Sequence, residues 1–146
     1  MVKMVNISGK HEVYREATAS GEIHLRPETV ELIRKGKVEK GDPIQVATLA
    51  GIQGAKLTPL MIPLCHPLGL DNTEIKAEVN DRSVKVTATV IASGKTGVEM
   101  EALVAVSIAL LNIWDVVKMY EKDPEGQYPN TTIDEIKVVS KVKREL

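Results

Sequence analysis

The sequence has no phenylalanine and only one cysteine, and aromatic residues make up 3% of its 146 residues. Without phenylalanine, the core must be built from aliphatic side chains. The shortage of aromatic rings also argues against a nucleic-acid partner, because RNA-binding sheets and single-strand binders stack bases on exposed aromatic side chains. A single cysteine excludes an internal disulfide.

The chain also lacks a strong excess of one charge and an apolar leader. Nineteen basic and 20 acidic residues give a formal net charge of -1, so a broad basic surface is not expected and any anion site must be local. No apolar stretch opens the chain as a secretory signal would, and the longest apolar run carries charges, which predicts that it does not span a bilayer. We therefore expect a soluble cytoplasmic protein with no membrane partner.

The length predicts a single domain over residues 1–146, with one hydrophobic core. Residues before Gly21 are weakly patterned and are predicted to form an irregular arm, and a strand is predicted at 21–25. Pro27 and Pro43 predict the first turns of two helices, and Asp42 is the predicted N-cap of the second.

The second half of the chain predicts a hairpin, a long helix and a last strand. Residues 73–79 and 83–91 alternate around a turn at 80–82. Residues 96–99 match a capping box, which predicts a helix of some twenty residues. A strand follows near 133–139, and then a charged tail. The order fits an α+β ferredoxin-like sandwich, an antiparallel four-stranded sheet with helices on one face plus one extra helix.

Two glycines interrupt the second predicted helix. Gly51 and Gly54 each lower helix propensity by roughly 1 kcal/mol relative to alanine. Their presence therefore predicts that another backbone or side chain packs closely against this helix.

The segment Ile62-Pro63-Leu64-Cys65-His66-Pro67-Leu68 places the only cysteine next to a histidine, between two prolines. Proline restricts its own φ and the residue before it, which predicts a stiff loop. Two interpretations remain open. Either Cys65 packs as a small hydrophobe and His66 caps a carbonyl, or both side chains serve a site. The chain has no second cysteine or suitably spaced histidine to complete a zinc pattern, so no metal site is expected.

A glycine-containing run precedes the long helix but is not a phosphate loop. The Walker pattern requires glycine where Thr89 stands. Gly94 and Gly97 at the helix start leave backbone N–H groups that attract anions. An anion site and a plain helix cap both remain open here.

Charged residues on the long helix are candidates for chemistry. Asp115 and Lys118 are three residues apart and therefore neighbours on one helix face. A structural ion pair and an acid–base pair tuned by burial both predict contact between them. Glu101 lies fourteen residues before Asp115, about 21 Å along the axis, so one small ligand cannot easily reach both within a chain. A site that uses both would lie between subunits, which predicts an obligate oligomer.

Seven separated stretches agree with one protein family: Arg15-Glu16-Ala17, Lys40-Gly41-Asp42, Ala50-Gly51-Ile52-Gln53, Ala55-Lys56, Ile62 through Leu68, Lys95 through Leu103, and Trp114-Asp115-Val116-Val117-Lys118. They resemble the molybdenum cofactor biosynthesis protein C family, the cyclic pyranopterin monophosphate synthases. The resemblance covers nearly the whole chain in order. It implies a lyase of the phosphorus–oxygen type that converts a cyclised GTP derivative to cyclic pyranopterin monophosphate and releases pyrophosphate.

The family resemblance also implies an assembly and a set of site residues. The assembly is a cytoplasmic hexamer, a trimer of dimers with sites at the dimer interface. No cofactor is implied, and whether Mg²⁺ accompanies the triphosphate stays open. The implied catalytic residues are Asp115, Lys118 and Lys40. The implied substrate-binding residues are Leu64, Cys65, His66, Met100, Glu101, Lys56, Arg15, Glu99 and Lys141.

The chain departs from the family pattern at three places. Asn6 stands where aspartate is usual, and Leu57 stands where arginine is common. A C-terminal Gly-Gly-Lys-Ser-Gly run found in many relatives is absent, which suggests either a less mobile lid or a shorter family branch that closes its site differently. The alternative function is a non-catalytic ferredoxin-like module that binds a nucleotide as a regulator.

Overall fold

The computed structural model describes residues 1–146 as one four-stranded sheet and four helices. The elements are β1 (Val13–His24), α1 (Pro27–Arg34), α2 (Pro43–Lys56), α3 (Thr58–Met61), β2 (Asn72–Val79), β3 (Ser83–Gly94), α4 (Glu99–Glu121) and β4 (Thr132–Arg144). The strand order is β2-β3-β1-β4, and every neighbouring pair is antiparallel. This order is that of a ferredoxin-like sandwich and confirms the predicted α+β class.

The core lies between one face of the sheet and α4. Alternate residues of β3 are fully buried, and so is the facing stripe of α4, which packs across β1, β3 and β4. The second helix, α2, packs on α4 and β2. The core cluster of buried residues holds valine, alanine, leucine and isoleucine, with no aromatic side chain, as the composition predicts.

Gly51 and Gly54 allow α2 to approach its neighbours closely, as predicted. A Cβ atom on Gly51 would lie 3.0 Å from Ile75 Cδ1 and 3.1 Å from the Ala105 carbonyl oxygen. A Cβ atom on Gly54 would lie 3.1 Å from Ile108 Cγ1. The helix start is also as predicted, because the Asp42 side chain accepts a hydrogen bond from the Ile44 N–H at 2.9 Å.

The first strand begins earlier than its sequence predicts. Residues 13–20 belong to β1 rather than to an irregular arm. The buried positions of this stretch include Arg15, Ala17 and Ala19. Because these residues are charged or small, the sequence lacks the alternation of large apolar and polar residues that predicts a strand. Pairing with β3 on one side and β4 on the other holds the segment extended, so tertiary context overrides its low strand propensity.

The other differences concern the last strand, the start of α4 and a short additional helix. The predicted charged tail is part of β4, where Arg144 lies 4.4 Å from the centre of the Tyr14 ring. No capping box forms, because α4 begins at Glu99 and its N-cap Val98 makes no side-chain bond. An unpredicted short helix, α3, follows α2, and proline is tolerated in its first turn.

The apolar helix α4 is long enough to cross a membrane by length and composition alone. Its mean hydropathy reaches 1.8 over an 18-residue window, so the expectation that this run is too polar is wrong as a statement about composition. More than half of that window, 56%, is buried inside the protein. The apolar character of α4 is therefore explained by its place in the core.

Candidate active site

The Pro63–Pro67 loop forms one wall of a cavity of about 560 Å³. Predicted site residues Leu64, Cys65, His66, Glu99 and Met100 all line this cavity. Leu64 and Met100 expose 45% and 39% of their surfaces, which leaves apolar area available to a ligand. The structure thus brings the loop and the start of α4 together, although they are more than thirty residues apart in sequence.

His66 and Cys65 of the loop each contact a neighbouring segment. These contacts agree both with a structural role and with a role in a site. His66 Nε2 lies 2.7 Å from the Val5 carbonyl oxygen, so the imidazole caps a carbonyl of the N-terminal segment. Cys65 Sγ lies 3.8 Å from Glu101 Oε2. Burial, and then the neighbouring Glu101, raise the pKa of the Cys65 thiol. Cys65 is therefore a neutral thiol near pH 7 and a poor nucleophile.

Glu101 is the one charged residue of α4's first turn that is fully buried, with 1% of its surface exposed. Its Oε1 has no hydrogen-bond partner. Burial raises the pKa of the Glu101 carboxyl, because the charged form loses its hydration. The group is consequently a candidate proton carrier behind the cavity wall.

Two further predicted residues make contacts at or just before the start of α4, beside this cavity. Lys141 Nζ lies 3.4 Å from Glu99 Oε1, which ties β4 to the start of α4. Arg15 is 8% exposed, and its Nε donates to the Gly94 carbonyl at 3.3 Å. Gly94 lies shortly before α4, so this hydrogen bond keeps the positive charge of Arg15 near the cavity.

A second cluster lies near the other end of α4. Lys118 Nζ is 3.0 Å from Asp115 Oδ1, and Lys40 Nζ is 3.5 Å from Asp115 Oδ2. The Lys40 ammonium also donates to the Asp115 carbonyl oxygen at 3.0 Å. One carboxylate therefore holds two ammonium groups, and the three residues proposed as catalytic are in contact.

The electrostatics of this cluster differ from the sequence-based prediction. The expectation that burial tunes the pair is wrong for the single chain, because the Asp115 side chain is 61% exposed. The Lys118 hydrogen bond and charge, followed by the charge of Lys40, lower the pKa of Asp115. The same hydrogen bond from Asp115 raises the pKa of Lys118. At neutral pH the cluster is therefore a carboxylate held by two cations.

Comparison with known proteins decides the family. A family model described as the MoaC family matches residues 4–143. The chain belongs to the MoaC family. It is 54% identical over 144 residues to the probable cyclic pyranopterin monophosphate synthase of Thermococcus onnurineus, covering 99% of this chain and 92% of that protein. It is similarly 54% identical over 140 residues to the protein of the same name from Sulfolobus acidocaldarius, covering 96% and 98% respectively.

In this MoaC family member the two clusters lie at opposite ends of one helix. Glu101 and Asp115 both belong to the continuous 23-residue helix α4, so about 21 Å separates them along its axis. Lys56, at the end of α2, is exposed and makes no ion pair, so the structure groups it with neither cluster.

The N-terminal segment lines the cavity, which its sequence does not predict. Lys3, Val5, Ile7 and Lys10 line the same cavity as His66. These residues are far from the loop in sequence, and their polar, weakly patterned surroundings carry no periodic signal. The only signal in the sequence is the pair of lysines. They add positive charge to a cavity whose other charged wall residue is Glu99.

One group of side chains outside both clusters has metal-ligand chemistry, although the sequence predicts no metal site. The candidate ligand atoms of Glu22, His24 and Asp134 lie within 4.8 Å of one another at an open face of the sheet. His24 Nε2 is 2.9 Å from Asp134 Oδ1, and Ser83 Oγ donates to Glu22 Oε2 at 2.6 Å. These contacts account for the cluster as a hydrogen-bonded surface network.

Proposed function

We propose that this chain is a cyclic pyranopterin monophosphate synthase acting in molybdenum cofactor biosynthesis. Its substrate is a cyclised GTP derivative, cyclo-dihydro-GTP, and its products are cyclic pyranopterin monophosphate and pyrophosphate. The observation that carries the proposal is the contact of Asp115 with both Lys118 and Lys40. Relatives that align over 92% and 98% of their own length carry that enzyme name.

The reaction needs repeated proton transfers and neutralisation of a triphosphate. Opening the purine ring, closing the pterin ring and forming the cyclic phosphate each move protons. The Asp115 carboxylate accepts a proton, and the Lys118 ammonium donates one. Substrate phosphates that draw Lys40 and Lys118 away from Asp115 would remove the interactions that lower the pKa of Asp115, which makes its carboxylate a better base.

The Pro63–Pro67 loop and the start of α4, together the loop cluster, supply recognition of the substrate. The exposed apolar surfaces of Leu64 and Met100 offer contact area to the substrate, and the His66 imidazole and the nearby lysines suit polar and anionic groups. Glu101 is a buried proton source reached through Cys65, whose Sγ lies beside it. Arg15, Lys56 and Lys141 supply further positive charge to the phosphates.

The separation of the clusters leads to a proposal about assembly. A ligand of nucleotide size cannot bridge about 21 Å along one helix. We therefore propose that the loop cluster of one chain faces the Asp115 cluster of another, in a homo-oligomer arranged as a hexamer of three dimers. We expect this assembly in the cytoplasm.

The alternative function is that of a non-catalytic nucleotide-binding module. Relatives more than 50% identical carry an enzyme name, which disfavours it. Such a module also has no need of a carboxylate held by two ammonium groups. Tight GTP binding without conversion of the cyclised intermediate would be its signature.

Pyrophosphate release from the cyclised GTP derivative tests the proposal. Asp115→Asn and Lys118→Ala should each lower kcat by about 100-fold or more, the scale of a lost general acid or base. Lys122→Ala is the matched control, because Lys122 is an exposed lysine one turn further on with no ion pair. Normal turnover by both cluster variants would remove the pair from the mechanism.

A further inference from the structure

Two of the chain's four aromatic residues meet beside the Asp115 cluster. The ring centres of Trp114 and Tyr128 lie 5.1 Å apart, with the ring planes at 64°. The chain has only one tryptophan and three tyrosines, so this contact uses half of its aromatic residues. With Leu111 and Ile133, the two rings line an open groove of about 400 Å³.

The groove is continuous with the charged cluster. Asp115 and Lys118 line it as well. Leu111, Trp114 and Lys118 follow each other at spacings of three and four residues along α4, so the apolar and the charged parts share one helix face. A ligand that touches Lys118 from this side therefore also meets the aromatic rings.

We propose that Trp114 and Tyr128 receive the planar ring system of the substrate, while Lys118 and Lys40 hold its phosphates. The inference rests on the proposed function and adds two binding residues to it. A free phosphate would make no favourable contact with the aromatic rings. A purely apolar ligand would remove water from the charged groups of Asp115 and Lys118 without offering them a polar partner. A planar heterocycle that carries phosphate groups matches both parts of the groove.

The surrounding loop holds Tyr128 in place. The Asp123 carboxylate accepts hydrogen bonds from the backbone N–H groups of Glu125 and Gln127, both at 2.9 Å. On the other side of Tyr128, the Thr131 hydroxyl donates to the buried Glu121 carboxylate at 2.7 Å. Fixing the loop at both ends lowers the entropy lost when a ligand docks on the ring.

Steady-state kinetics of three variants test the assignment. Tyr128→Ala should raise KM for the cyclised GTP derivative about tenfold with kcat little changed, the scale of one lost stacking ring. Tyr128→Phe keeps the ring and should behave as the unmodified chain. Tyr14→Ala removes an aromatic side chain that packs under Arg144, away from the groove, and should leave KM unchanged.

Fluorescence gives a direct readout because Trp114 is the only tryptophan. In the Asp115→Asn chain, titration with the cyclised GTP derivative should change Trp114 emission to saturation. Unchanged emission, or an unchanged KM for Tyr128→Ala, would overturn the assignment. A Tyr128→Ala chain with altered oligomeric state and unaltered KM would overturn it too, because the groove would then be a subunit contact. No turnover by the unmodified chain would instead refute the proposed function.

Discussion

Replacing Glu101 with glutamine gives the sharpest test of the buried carboxyl behind the cavity. Glu101 is 1% exposed, its Oε1 has no partner, and burial raises its pKa above the ordinary value of 4.5. Glutamine has the same shape and cannot ionise. The Glu101→Gln substitution therefore removes the proton equilibrium while leaving the packing of α4 unchanged.

The magnitude follows from proton linkage. Between the ordinary pKa and the raised folded-state pKa, the folded chain keeps a proton that the unfolded chain has lost. The stability contributed by the protonated form is fully present below the ordinary pKa and is lost as pH rises through the folded pKa. The free energy of unfolding thus falls by about 1.4 kcal/mol per pH unit in that window because of Glu101. Glutamine does not ionise, so in the Glu101→Gln chain this position contributes no pH dependence to the free energy of unfolding.

The assay is urea unfolding of both chains at one protein concentration, from about pH 4.5 to about pH 8, since subunit association also affects stability. The stability of Glu101→Gln relative to the unmodified chain should rise with pH. Glu99→Gln is the matched control, because Glu99 is partly exposed and pairs with Lys141. Parallel curves for Glu101→Gln and the unmodified chain would refute the reasoning, since they would mean that Glu101 ionises without cost when folded.

Two further predictions concern packing and the thiol. Gly54→Ala should destabilise the chain by about 1 kcal/mol, because crowding of Ile108 outweighs the gain in helix propensity, and thermal unfolding measures this. Gly9→Ala, which meets nothing within 4 Å, is its control, and a higher Tm for Gly54→Ala would contradict the packing argument. Cys65 should be alkylated slowly at pH 7 and faster above about pH 9, because burial raises its pKa. Rapid alkylation at pH 7 would indicate a thiolate.

Local signals in the sequence predicted most of the fold. Proline at 27 and 43, the Asp42 cap and the turn at 80–82 mark element ends through short-range chemistry, and the structure has them. The start of β1 escaped prediction because Arg15 and two alanines occupy its buried face, where only pairing with both neighbouring strands reveals the strand.

The site was predictable only where residues are close in sequence. Helical spacing predicts the contact of Asp115 with Lys118, and the structure has it. The contact of Lys40 with Asp115 joins residues 75 apart, so no local pattern indicates it, and only the family resemblance suggested a shared role. Spacing also gave no sign that Asp115 lies on the solvent side of a mostly apolar helix.

Subunit complementation tests most directly the claim that each site combines two chains. His66→Ala disables the loop cluster, and Asp115→Asn disables the cluster at the other end of α4. If each site takes one cluster from each of two chains, random reassortment of the two inactive proteins should restore about one quarter of the unmodified pyrophosphate-releasing activity. Mixing Asp115→Asn with Lys118→Ala, both in one cluster, should restore none. Absence of any recovery in the first mixture, with subunit exchange verified by mass spectrometry, would contradict the account.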